Sequence, residues 1–271
     1  MSFAAPSQDG PPSSQPAQPP PAPPSPAAPP GRPARLSSPI GLSRAVMVLL
    51  GVVMAVDLYA LWAGTVVRDV MADMIGGRIG DSLQADAEHA DELYAFSGTL
   101  QLGALITTCV VFLVWFHRVR VNAEVFAPAI HRKSRGWTVG GWFVPIVNLW
   151  FPRRIAVDIW DASGPREVLL ARSMTLDTTS PGAPHRLLNT WWALWVADLL
   201  ASRWASQAYT RAEEPEEVKA AIEYLMFADA LDIVAAVLAV LFVHRLTRLQ
   251  DLKVRSGPPR PAPAPGPAAA G

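Results

Sequence analysis

Four long apolar runs alternate with polar segments along the chain. Ala45 to Val67 is almost wholly apolar, interrupted near its middle by Asp57. At about 1.5 Å of rise per residue it is long enough to cross roughly 30 Å of hydrocarbon as a helix. Leu100 to Trp115 forms the core of a second run that starts near Leu93 or Tyr94, ends at Phe116 and carries no ionisable residue in that core. A third runs from Leu187 to about Gln207 or Ala208, and a fourth from Ala220 to Val243. This pattern predicts an all-α membrane protein with four transmembrane helices over about 45–67, 94–116, 187–208 and 220–243. Residues 68–93, rich in Asp and Glu, are expected to be non-spanning and partly helical.

The stretch 136–160 fits none of these classes. Its first half is apolar but only about fifteen residues long, below what a spanning helix needs, and Gly140, Gly141 and Pro145 interrupt a regular helix. Trp137, Trp142 and Trp150 suit a headgroup boundary. The expectation is an interfacial or re-entrant segment on the side of the basic loops, with the Asn148 side chain satisfying backbone groups freed at Pro145.

Composition agrees with a membrane domain flanked by tails. The 271 residues are 51% hydrophobic and 17% charged, against about 25% charged in soluble domains. Residues 1–43 and 256–271 are rich in Pro and Ala and are expected to be disordered; residues 44–255 form the membrane domain. Residues 1–40 lack the basic start and apolar core of a signal peptide. The cluster Pro19 to Pro30 has the polyproline character that aromatic grooves bind, but its alanine-proline composition favours a solvated tether. Cys109 excludes an intrachain disulfide by standing alone, and it is expected to be a small packing residue.

Net charge is zero, but the signs are segregated. Basic residues precede the first run, fill the segment between the second and third, and follow the fourth, whereas the other two connections are acidic. The positive-inside rule then places both termini and the central segment in the cytoplasm of a multi-pass protein of the cell membrane. The basic central segment suggests contact with anionic lipid rather than nucleic acid.

The string Trp115-Phe-His-Arg-Val-Arg-Val-Asn122, then Gly136-Trp137, then Gly141-Trp-Phe-Val-Pro-Ile-Val-Asn-Leu-Trp-Phe-Pro152 resembles the hallmark of bacterial membrane proteins grouped as domain of unknown function 4328. The resemblance covers about residues 45–250. It implies a multi-pass membrane protein, typical of actinobacteria, with no catalytic residues to transfer. It makes Trp137, Gly141, Trp142, Pro145, Asn148, Trp150 and Pro152 the motif residues.

The candidate chemistry is a set of ionisable residues at membrane depth: Asp57, Asp198, Arg203, Asp229 and Asp232. A charge there costs at least about 2.5–3.5 kcal/mol on insertion scales, so such residues pair or serve a pathway. Arg203 lies five residues beyond Asp198 and Asp229 three before Asp232, on helices of opposite direction, so depth alone predicts an Arg203–Asp229 pair. Either the aspartates hold the bundle together by pairing, or they bind a cation or relay protons. His117 and His244 sit at helix ends and read as headgroup neighbours rather than haem ligands. No zinc, phosphate-loop or nucleophile signature stands out, so neither a cofactor nor an enzymatic role is assigned. The two functional expectations are a non-enzymatic scaffold or interaction module, with a membrane-protein partner or a second copy of the chain, and a cation- or proton-coupled transport protein.

Overall fold

The apolar periodicity resolves into long helices. A computed structural model of the chain describes residue 1 and residues 36–164 and 185–255. The proline-rich tails and most of the Ser163–His185 connection, expected as tethers and a loop, lie outside the described residues. From Leu36 onward the described residues belong to one unit, and among them there is no strand.

Helix α1 spans Ile40–Ile75 and α2 spans Asp81–Phe126. With 36 and 46 residues, they measure about 54 and 69 Å, well beyond a hydrocarbon core. The acidic segment expected to be only partly helical is therefore mostly helix, as the outer ends of α1 and α2. A short turn at 76–80 joins them, with Gly77 at φ +83° and Gly80 at φ +124°. An L side chain at Gly80 would sit in strained backbone. Helix α1 also begins inside the tail expected to reach residue 43.

Past α2 come a 3-10 turn at Pro128–Ile130, the short helix α3 at Trp137–Gly140, a second 3-10 turn at Val147–Leu149, and α4 at Phe151–Ser163. Helix α5 covers Arg186–Arg211 and α6 covers Pro215–Arg255. Among the described residues, α1, α2 and α6 are long and apolar enough to cross a membrane. Helix α5 is long enough at 26 residues, but Arg186, Asn189, Asp198, Ser202, Arg203, Gln207 and Arg211 dilute its apolar content.

The long helices lie in the order α2, α1, α6, α5: α1 packs along both α2 and α6, and α6 along α5, whereas α2 and α5 do not pack along each other. Close approach of α1 to α6 depends on Gly64, where an added Cβ would meet Met226 Cγ at 2.9 Å. Two apolar clusters fill the unit. One joins Val67, Val70, Leu83, Ala90 and Ile222 toward the acidic turns. The larger one, toward the basic end, joins Val46, Trp115, Phe116, Ile155, Ile159, Trp191, Trp192 and Phe242. Outside them, Val52, Leu58, Leu102, Leu105, Ile106, Val110, Val237 and Leu241 are exposed along the apolar helices, as a lipid-facing surface requires. Cys109 belongs to this exposed face, a correction to its expected packing role.

The stretch 136–152, expected to be interfacial or re-entrant, is part exposed and part packed into the helices. Its backbone break is closed by backbone rather than by the Asn148 side chain: Val147 N–H donates to Pro145 O at 2.7 Å and Asn148 N–H to Val144 O at 3.0 Å. Trp142 is turned into the aromatic cluster, while Trp137 and Trp150 stay exposed. Gly141 makes this possible, because a Cβ there would stand 2.8 Å from Trp137 O and 3.3 Å from Phe151 Cβ. The following Pro152 sits buried at the start of α4, where its missing N–H costs nothing.

Candidate functional site

Between the two apolar clusters lies a polar layer. Asp57 occupies the core-facing stripe of α1, which also carries Val46, Ala60, Gly64 and Val67, and it is 3% exposed. Its Oδ1 accepts from Gln101 Nε2 of α2 at 3.1 Å, and the same Nε2 donates to Asp229 Oδ1 of α6 at 2.8 Å. One amide nitrogen thus bridges two carboxyls on two other helices. The Asp57 Oδ2 atom is buried and has no hydrogen-bond partner, and the Asp232 carboxyl lies nearby. Asp198 of α5 completes the set near Asp229 and Asp232, and it accepts from Ser202 Oγ at 3.2 Å.

Of the five candidate residues, the four aspartates come together and Arg203 does not. Arg203 is exposed, and among the described residues no ion pair joins it to Asp229. It lines a shallow depression on one side of α5 with Leu199, Ser202, Ser206, Gln207 and Thr210. The expected pair fails on azimuth rather than depth. Five residues past Asp198 is about 140° around the helix, whereas Asp229 and Asp232 stand only about 60° apart.

Gln101 is the participant that sequence reasoning missed. The search was for ionisable residues, and Gln101 read as part of an uncharged apolar run. A signal existed: a glutamine amide with two donors inside a membrane-length helix needs partners there.

Aromatic rings bound this layer on two sides. Toward the acidic turns, Tyr94 of α2 meets Tyr209 of α5 at 6.1 Å between centroids. Toward the basic end, Trp142 stands between Phe112 and Phe116 of α2, at 5.4 and 5.9 Å, and Trp192 and Trp195 of α5, at 5.8 and 5.5 Å. The hairpin also anchors to α5 through Trp192 Nε1, which donates to Leu149 O at 3.3 Å.

A second polar assembly sits at the basic end. Arg120, 2% exposed, approaches Glu124 at 2.9 Å and donates to Lys133 O at 2.6 Å. Glu124 also holds Arg135, and Asp158 of α4 accepts from the Arg132 backbone N–H at 3.2 Å. Burial pushes the Asp158 carboxyl up, opposed by that N–H and by the Arg132 charge. Burial likewise lowers His131, opposed by the Ala123 carbonyl. Asn122 grips the chain before α1, with Nδ2 to Ser37 O at 2.9 Å and Oδ1 from Ser37 N–H at 3.2 Å, and it donates to Gln250 Oε1 at 3.2 Å. Lys253 of α6 closes the end of α4 through Ala162 O and Gly164 O, at 2.6 and 3.0 Å. Most basic residues of the central segment therefore have protein partners, while Arg154 is exposed. His117 and His244 are exposed too.

These features define an all-helical protein with helices suited to a membrane and carboxyls gathered between them. The chain belongs to the family described as Domain of unknown function (DUF4328), which it matches over residues 80–248. That region takes in Gln101, Asp198, Asp229, Asp232 and the tryptophan hairpin, and leaves α1 with Asp57 outside. No curated protein and no solved structure matches the chain.

Proposed function

We propose that this is a non-enzymatic four-span protein of the cytoplasmic membrane, with both termini and the basic central segment on the cytoplasmic side, that holds and exchanges protons at Asp57, Asp198, Asp229 and Asp232. Helix α5 is the fourth span on this reading. It exposes Leu199, Leu200 and Trp204, suited to lipid, and carries Asp198 toward α6. The positive-inside rule supplies the orientation.

The observation that carries the proposal is the single amide of Gln101 shared between Asp57 and Asp229. A carboxylate only accepts hydrogen bonds, and the buried Asp57 Oδ2 atom has no donor beside it, so on this reading a proton on the carboxyl supplies its partner. With Arg203 turned away, the structural ion pair has lost its cation, and intramembrane acids without a fixed counter-charge are characteristic of proton pathways.

The scaffold reading rests on a different observation. The hairpin exposes Phe143, Val144, Ile146 and Trp150, an apolar tip that meets lipid or a membrane partner, with exposed Arg154 beside it for an anionic headgroup. Reconstitution separates the two. Liposomes with a trapped pH-sensitive dye and an imposed potassium diffusion potential should acidify or alkalinise faster with the protein than without it. Asp57→Asn combined with Asp232→Asn should abolish the difference. Flux equal to that of empty liposomes would leave the scaffold reading standing.

A further inference from the structure

Part of the seam between α2 and α5 is filled by a side chain that belongs to neither, Trp142. Between Tyr94–Tyr209 and the basic end the backbones of α2 and α5 stay apart, and Trp142 fills the space between their rings beside the direct contact of Phe112 with Trp191 at 6.2 Å. The residues on the α2 side are informative. Gln101, Thr108, Phe112 and Trp115 recur at helical spacing on one stripe. Thr108 lies about 10 Å past Gln101 and about 6 Å before Phe112 along the axis. It is 8% exposed, and its hydroxyl has no protein partner. The indole N–H of Trp142 and the hydroxyl of fully buried Thr138 are likewise buried without a protein partner. Buried polar groups are nearly always satisfied. Three unpartnered ones, on α2 and on the hairpin packed against it, lie where an entering water would find polar partners.

We infer that Trp142 is the inner gate of the carboxyl cluster: the α2–α5 seam past Thr108 is the cytoplasmic access route, and the hairpin opens it by withdrawing the indole. This rests on reading the cluster as a proton-exchanging site. The hairpin suits the role. Its tip residue Ile146 is β-branched yet held at φ +67° while 75% exposed. Such a conformation is strained for an L residue and persists only where its surroundings impose it. Withdrawal of the hairpin releases that constraint.

The test is cysteine accessibility, which needs no proton flux. With Cys109→Ala removing the native thiol, Thr108→Cys is exposed to a small cationic thiol reagent on inside-out and right-side-out vesicles. With Trp142 present, labelling should be slow from both sides. Trp142→Ala should raise the rate at least about tenfold from the cytoplasmic side only, and Trp142→Phe should leave it slow. Ile146→Gly, at an exposed position that does not touch the core, relaxes the closed hairpin and should slow residual labelling about threefold; it decides the matter if the alanine variant is not recovered folded. A rate within twofold of the parent in the decisive variant, or acceleration from the outer side, overturns the gate. Gated labelling without proton flux would retain the gate and sink only the proton reading.

Discussion

Gln101 on α2 and Asp229 on α6, 128 positions apart in sequence, are joined by a hydrogen bond of 2.8 Å. The same nitrogen holds Asp57, so three helices meet at one amide. Gln101→Leu preserves volume but leaves two carboxyls without their donor. Thermal unfolding in detergent should show a loss of about 1–3 kcal/mol. A variant as stable as the parent would show that these bonds do not hold the helices.

Asp229 and Arg203 should behave as independent residues. A double-mutant cycle with Asp229→Asn and Arg203→Gln should be additive within about 0.5 kcal/mol. Asp229→Asn paired with Gln101→Leu should depart from additivity by more than that. Strong coupling between Arg203 and Asp229 would contradict the observed geometry.

Trp142 should matter as a packing residue. Its ring meets four others edge-on between α2 and α5. Trp142→Ala should cost about 3 kcal/mol, in the range of large aromatic truncations, and Trp142→Phe clearly less. A mere surface anchor would lose stability only in lipid, with no change in detergent.

Much of this was legible beforehand, and the exceptions share a cause. Apolar run lengths predict α1, α2 and α6, and aspartates at membrane depth predict the polar layer. The Arg203–Asp229 pair failed because depth along an axis says nothing of angle around it, although 3.6-residue periodicity separates Arg203 from the Asp198 face. The tryptophan preference for an interface describes a ring free to choose, whereas Gly141 lets Trp142 pack among the rings of α2 and α5. The Gln101 bridge joins residues on three helices, and no local pattern encodes which stripes will face one another.

Orientation can be checked with the native thiol removed by Cys109→Ala. Cysteines at Ser82 and Glu216, both exposed in the acidic half, should react with an impermeant reagent on intact cells. One at Ser134, exposed beside the basic assembly, should not. The reverse pattern would invert the topology.

The basic-end assembly predicts a pH response. Burial holds His131 below its usual 6.5, so the unfolded chain binds that proton more readily than the folded one. Stability contributed by keeping His131 neutral is present at higher pH and is lost as pH falls through 6.5 toward the folded value. Asp158, raised by burial, works in the opposite sense, and Asp158→Asn separates the two. His131→Gln should flatten the fall in thermal midpoint between roughly pH 8 and 5.5. An unchanged slope would mean another group is responsible.

The placement of α6 between α1 and α5 also governs how the carboxyls are partnered. Asp57 meets Gln101 on the next helix, yet it and Asp198 complete their surroundings only with Asp229 and Asp232 on α6. Without α6, the Asp57 and Asp198 carboxyls stand on helices that do not pack along each other and so remain incompletely partnered. A chain that lacks Pro215–Arg255 loses the two carboxyls, Asp229 and Asp232, toward which Asp57 and Asp198 face, so the polar layer depends on these 41 helical residues.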